Sequence, residues 1–447
     1  MKHIISFLFS LVSLQIGAQT AVIEQYIAEG IANHPGIKQQ KFQLQKSAYI
    51  LAEAKALFSP SINFNTTYST AAGGRNISFP VGDLINPIYS TLNLLTPANA
   101  PKFPEGQIPN INEQLVPKNF YDARIKTQMP LFNVELKYLK KIRKQQIGVQ
   151  EAEIEVFKRE LVKEIKIAYF NFVKANEAIK IYENAKKLLN ETERVNRSLV
   201  KNEMANGMVI TKTQNEQAKL EAEIINAQNN KTNAKSFFNF LLNKPFDNEV
   251  IIDTTIANIE FSENVYSQRE ELTKLKAAIE VNETILSLNR AYRKPKIGTI
   301  LDVGSQGSLK DINAKNPFLL FGLSFDIPLY AGGRNKLKIL QQEQELLALA
   351  EQENVVENQF KLQNEMAKNN FENQKKQLPA KQLQVNTAKK YFNDILKKYK
   401  EGQANYIEIF EGQTQILTAE LQQNLAVFEC WIRHTELERS MASFDLK

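Results

Sequence analysis

Glu408 and Glu411 stand three residues apart in the stretch "NYIEIFEGQ". On a helix that spacing puts both carboxylates on nearly the same face. Confined in a narrow passage, such a pair attracts cations, whereas on an open helix it is only a solvated surface, the usual fate of glutamate. Ile407, Ile409 and Phe410 take the other directions and suit packing against neighbouring helices. Little else in the chain offers chemistry. His34 and His434 lie in helical or capping contexts, and Cys430 is the single thiol. Metal clusters and Ser-His or Cys-His catalysis therefore lack parts. The glycines of "YAGGR" are not followed by the lysine and hydroxyl residue of a phosphate loop. Nor does any carboxylate pair stand out as a glycosidase site. The sequence points away from an enzyme, and no cofactor is expected.

The elements that position these residues are unusual. The 447 residues are 43% hydrophobic and 23% charged, enough to bury a core. A net charge of +7 is modest for this length, and lysines alternate with glutamates along the helical stretches. That pattern describes solvated helix faces and not a nucleic-acid patch. Lys2 and His3 precede the apolar run Ile4 to Leu14, and Ile16-Gly17-Ala18 offers a small-residue cleavage site before Gln19. Residues 1–18 read as a secretory signal peptide. No later stretch approaches the ~20 apolar residues of a membrane-spanning helix. One cysteine permits no intrachain disulfide, so packing alone must hold the chain together.

The chain repeats itself. Pro60 matches Pro295, Pro130-Leu131-Phe132 matches Pro328-Leu329-Tyr330, and Gly207 is paired with Gly402. Each half reads helix, strand, loop, strand, long helix, glycine turn, helix. The first repeat covers 19–243, a linker 244–265, read as a collar partway along the molecule, and the second repeat 266–447. In the first half Ile154, Phe157, Leu161, Ile165, Ala168, Phe172, Ala175, Ile179 and Tyr182 recur with a mean spacing of about 3.5, the value that lets helices supercoil. The long helix expected over 133–205 would span on the order of 100 Å. Its counterpart is expected over 335–400, with Pro379 inside it; proline removes a helical hydrogen bond and should kink that rod.

Strands are expected at about 61–70, 120–131, 297–305 and 318–329. Tyr121, Ala123, Ile125, Thr127 and Met129 share one face, and Asp122, Arg124, Lys126 and Gln128 the other. Phe321, Leu323, Phe325 and Ile327 oppose Gly322, Ser324 and Asp326. Alternating segments of roughly ten residues are the signature of outer-membrane strands. Four cannot close a barrel whose smallest single-chain form has about eight, so several copies would have to build one together. Between the first two strands, residues 71–118 hold seven of the fifteen prolines and read as a long loop free of helix and strand.

These motifs, in this order and twice over, resemble the TolC-like outer-membrane efflux proteins. Asn33-His34-Pro35, Pro60, Pro130-Leu131-Phe132, the run Pro328 to Arg334 and the turns at Gly207 and Gly402 carry the likeness. The resemblance implies an α+β fold: an internally duplicated coiled-coil tube with four transmembrane strands per protomer. It further implies a homotrimer with a twelve-stranded barrel in outer-membrane lipid and a helical barrel crossing the periplasm of a Gram-negative cell. The expected function is the passive exit duct of a tripartite efflux or type I secretion system. It would be energised through a periplasmic adaptor protein and an inner-membrane transporter of RND or ABC type. By the same resemblance Gly207 and Gly402 mark the periplasmic tip, Glu408 and Glu411 its acidic constriction, and Tyr399 part of the latch that holds it shut. Ala404 and Thr213 depart from the family, standing where arginine and aspartate are common. A periplasmic adaptor and a non-membrane coiled-coil scaffold are the rival readings.

Overall fold

A computed structural model describes residues 18–105, 107–115, 119–253, 269–308, 316–444 and 446. The signal peptide, apart from Ala18, and the whole second half of the linker lie outside them. The chain divides into two compact units, one of residues 1–50, 142–285 and 340–447, the other of 51–141 and 286–339.

The second unit is built on a sheet of β1 (Ser61–Ser69), β4 (Phe120–Asn133), β5 (Lys296–Ser308) and β6 (Pro317–Asp326), all antiparallel, in the order β1-β4-β5-β6. Register explains the alternation. Phe64 pairs with Ile125, Ile125 with Val303, and Val303 with Leu319, so one face is apolar across all four strands. That face is open: Phe64 is 70% and Phe325 67% exposed. The opposite face joins Arg124 to Asp122 and, at 3.2 Å, to the buried Asp302. Among the described residues β1 and β6 each keep one edge unpaired.

The two strand-to-helix handovers differ. β4 carries a bulge between Pro130 and Phe132 and runs to Asn133, two residues beyond expectation. Asn133 then accepts from the backbone N–H of Glu135 at 3.0 Å and caps α4 (Val134–Lys201) directly. β6 instead stops at Asp326, three residues short of expectation. Its partner β5 begins at Lys296, opposite Asp326, and Pro328 has no N–H to extend the ladder. Gly332 and Gly333, at φ of +60° and +76°, turn the chain into α7 (Arg334–Lys400).

The proline-rich segment is not the bare loop expected. It holds β2 (Asn76–Phe79) paired with β3 (Ile111–Gln114), and between them the helix α3 (Val81–Leu95). The prolines fall mostly outside these elements. Pro80 sits at the helix start, where a missing N–H costs nothing, and only Pro87 lies within.

The first unit packs α1 (Ala18–Asn33), α2 (Pro35–Ala56), α4, α5 (Met208–Leu241), α6 (Glu270–Arg290), α7 and α8 (Tyr406–Met441). The rods are long as expected, 68 residues for α4, which ends at Lys201, four short of the expected end, and 67 for α7. Of the apolar row read from sequence, Ile154, Leu161, Ile165, Ala168 and Phe172 are buried, the last four meeting Tyr26, Ile37, Phe238 and Phe428 in the main core. His34 accepts from the Gly36 N–H at 3.0 Å, the capping role expected of it. The described part of the linker packs here too: Val250 enters the core, and Tyr26 and Tyr169 hydroxyls accept from the Ile251 and Asp253 N–H groups.

Ion pairs bind the two repeats together. Arg159 on α4 meets Glu270 on α6, Lys166 meets Glu438 at 2.7 Å, and Arg439 on α8 bridges Glu160 and Glu271. Burial pushes the Glu271 carboxyl up, but hydrogen bonds from Arg269 and Arg439 outweigh it and hold it at about 2. An acid depressed from 4.5 on folding stabilises the fold above that pH and loses the contribution as pH falls toward 2. The expected size at pH 7 is on the order of 3 kcal/mol. Glu271→Gln should therefore lower the unfolding midpoint at pH 7, and the gap from wild type should close near pH 2. Circular dichroism melts across that range check both the gap and its closing.

Candidate functional site

Two tight turns join the helices in pairs, α4 to α5 and α7 to α8. Each closes its first helix the same way. The Met204 N–H donates to the Leu199 carbonyl and the Gln403 N–H to the Lys398 carbonyl, both at 2.8 Å. Each such closure needs one left-handed residue. At the second turn it is Gly402, φ +73°; at the first it is Glu203, φ +60°, and not Gly207. Gly207 is right-handed, at φ −52°, with open space where a Cβ would lie. The pairing of Gly207 with Gly402 is thus corrected by four residues. Ala205-Asn206 matches Ala404-Asn405, and each asparagine caps the next helix: Asn206 accepts from Met208 N–H, Asn405 from Ile407 and Glu408 N–H. The eye follows glycine, yet glutamate fills the equivalent position at a strain of about 1–2 kcal/mol.

Above the turns the helices are locked by uncharged hydrogen bonds. The buried Tyr399 hydroxyl donates to Asn196 Oδ1 on α4. Asn196 Nδ2 donates to Thr213 Oγ1 on α5 at 2.8 Å, and Thr213 donates to the Val209 carbonyl at 2.7 Å. Asn196 and Thr213 are both fully buried. A second lock lies one turn away on α4, where Gln413 of α8 donates to the buried Thr192 hydroxyl at 2.7 Å. Val195, Phe392, Ile395, Ile409 and Ile416 surround both. Gly412 lets α8 approach α7 closely, since a Cβ there would sit 3.3 Å from the Phe392 ring. Burial pushes the Tyr399 hydroxyl above its usual value, so it remains a donor at neutral pH.

Tyr399 is therefore brought into a lock, and Thr213, noted only as a departure, is its third member. Asn196, Thr192 and Gln413 were not singled out in the sequence. A signal for two of them existed: Leu189, Thr192, Asn196 and Leu199 follow the helical period, with polar residues in an apolar seam.

Glu408 and Glu411 lie on the first turns of α8, away from that lock. Glu408 is half-buried and receives the Asn405 side-chain amide at 3.3 Å, close to a capping box. Glu411 is exposed and receives Gln415. Neither pairs with a cation among the described residues. Ile409 is buried and Phe410 half-buried, as expected, but Ile407 is 56% exposed. Pro379 is an exposed residue within α7, and the helix runs unbroken through it. Among the described residues no group of metal-ligating side chains gathers.

Comparison with known proteins agrees with this geometry. Residues 262–441 match the family model described as outer membrane efflux protein. The family is one of channels and not of enzymes. No curated protein matches the sequence. The fold is that of solved outer-membrane channels along nearly the whole chain. The outer-membrane protein VceC from Vibrio cholerae superposes with a TM-score of 0.69 at 14% identity, covering 95% of this chain and 96% of its own. The MtrE outer-membrane channel of Neisseria gonorrhoeae, solved in an open state, gives 0.72 at 13%, covering 94% and 89%. The CmeC channel of Campylobacter jejuni gives 0.70 at 12%, covering 94% and 86%. The resemblance read from the sequence is borne out.

Proposed function

We propose that this protein is the outer-membrane exit duct of a tripartite efflux or secretion system in a Gram-negative cell. The carrying observation is the four-stranded sheet with one open apolar face and two unpaired edges. In hydrocarbon an open edge leaves backbone groups unsatisfied, at a cost of several kcal/mol each. Three copies resolve this, each lending four strands to one closed barrel whose apolar face meets lipid. The helices support the same assembly. Leu340, Leu347, Val355, Leu362 and Met366 form an exposed apolar row on α7, at the spacing of a coiled-coil seam, for neighbouring copies to cover. The helical units of the three copies then make the periplasmic tube.

The duct is passive, with energy supplied by an inner-membrane RND or ABC transporter through a periplasmic adaptor at the tip. Native mass measurement of the protein in lipid nanodiscs should give a trimer. A stable monomer in a bilayer would end this reading.

Pro379 lies about 30 Å along α7 from the Gly402 turn. A bend at a missing hydrogen bond leans the lower helices of such a tube inward. Pro379→Ala should straighten the rod and change the resting conductance of the trimer in planar bilayers. An unchanged conductance would make the proline a local feature of the helix alone.

A further inference from the structure

The helix α3 is amphipathic, but turned inside out. Its inner side is polar and fastened to the segment that follows it. Asn93 accepts from the Phe103 N–H and donates to the Phe103 carbonyl, both at 2.7 Å. Asn86 donates to the Ile108 carbonyl at 2.9 Å, and Asn110 donates to Asp83 at 2.9 Å. Gly82 lets the backbones touch, since a Cβ there would lie 2.2 Å from the Ile108 carbonyl oxygen. Tyr89 stacks on Phe103. These bonds fix the helix by its polar side and leave its apolar side outward. Leu84 is 66%, Ile88 56% and Leu95 78% exposed, at four- and seven-residue steps along one face. The hairpin that carries the helix also exposes Phe79 and its partner Ile111.

An apolar helix face held outward by its own hydrogen bonds implies an occupant from outside the chain. Helices that lie on membranes carry Lys and Arg on the polar face to meet anionic lipid. Residues 81–95 hold no basic residue, only Asp83, and the polar side is already occupied by the segment's own backbone. A lipid surface is therefore a poor fit. Position in the sheet favours another occupant. The segment leaves from β1, an edge strand, and the trimeric reading puts a neighbouring copy against that strand's free edge, next to where the segment begins.

We infer that the outward face of α3, centred on Leu84, Ile88 and Leu95, docks on a second copy of this chain, joining the copies outside the strands as the sheet edges join them within. This rests on the trimeric reading above.

The test places one new cysteine at Ile88, with Ser90→Cys on the exposed flank of the same helix as the control. Cys430 is fully buried and its thiol is raised to about 11, so labelling is confined to the new site. The full chain is studied in lipid nanodiscs after native mass measurement. Ile88→Cys labelled with a maleimide benzophenone should, on irradiation, lose its single-chain band to covalent oligomers on a denaturing gel, while Ser90→Cys keeps it. A polarity-sensitive maleimide dye at Ile88→Cys should show blue-shifted emission that nitroxide-labelled lipids do not quench. Quenching by those lipids would assign the face to the membrane, and water-like emission without cross-linking would leave it bare; either overturns the inference while a trimeric mass stands. A monomeric mass would instead remove the assembly reading, and this inference with it.

Discussion

In planar bilayers Tyr399→Phe should raise the resting conductance of the proposed trimer by about tenfold. The Tyr399 hydroxyl is the link between α7 and the Asn196–Thr213 pair that joins α4 to α5. Removing it leaves the Asn196 Oδ1 buried without its donor, a cost of about 1–3 kcal/mol to the closed arrangement. An open tip in which Asn196 meets water does not bear that cost, and each 1.4 kcal/mol or so shifts the balance tenfold. Thr213→Val, which removes the next hydroxyl while keeping the shape, should open the channel in the same direction. The lock is uncharged, and Tyr399 stays protonated at neutral pH. Salt and mildly acidic pH should therefore leave wild-type closure nearly unchanged, whereas a charged latch is weakened by screening. The exposed Lys400–Glu191 pair, at 3.8 Å, is the one charged contact between α7 and α4 at this end among the described residues, and an exposed pair contributes little. On the latch reading that the resemblance implies, where Thr213 and Ala404 stand at positions that commonly carry charge, this neutral hydrogen-bond chain would take over that work. The two variants must be compared with wild type for trimer mass and thermal stability. A loss of stability with unchanged conductance would make the chain a packing device and not a latch.

The second large effect is expected at Glu408 and Glu411. Both carboxylates lie near the second helix turn without a cation partner among the described residues. Threefold symmetry would stack them as two acidic rings in a narrow passage. Such rings focus the field and favour cations. The double variant Glu408→Gln/Glu411→Gln removes the charge but keeps an acceptor for the Asn405 amide, so the helix cap survives. It should abolish block by trivalent cations added from the periplasmic side and remove most of the cation selectivity. Reversal potentials across a salt gradient measure the selectivity directly. Retained block and selectivity in the double variant would assign the two glutamates to an outer surface. Ile407, exposed beside them, would then be the better guide to what touches this turn.

Much of this was legible because it is local and periodic. The 3.5-residue row from Ile154 to Tyr182 required a long packed rod, and the period-two alternation from Tyr121 to Met129 required a strand with one apolar face. Each pattern is written in consecutive residues, and its physical cause is the geometry of one element. The duplication was legible for the same reason, since it repeats those patterns in order. The long-range facts were not. Asn196 and Tyr399 meet across 203 residues, and nothing within either segment names the other as its partner. The register of the first turn was hidden because Glu203 adopts the conformation for which glycine is the usual sign. Proline density concealed α3, whose helix needs only that most of its prolines fall outside it. The sequence by itself determined the kind of elements and their order, because backbone period and side-chain polarity are set residue by residue. Only the tertiary structure decided which polar groups are buried together and which apolar faces stay open, because desolvation depends on neighbours that the chain brings from far away.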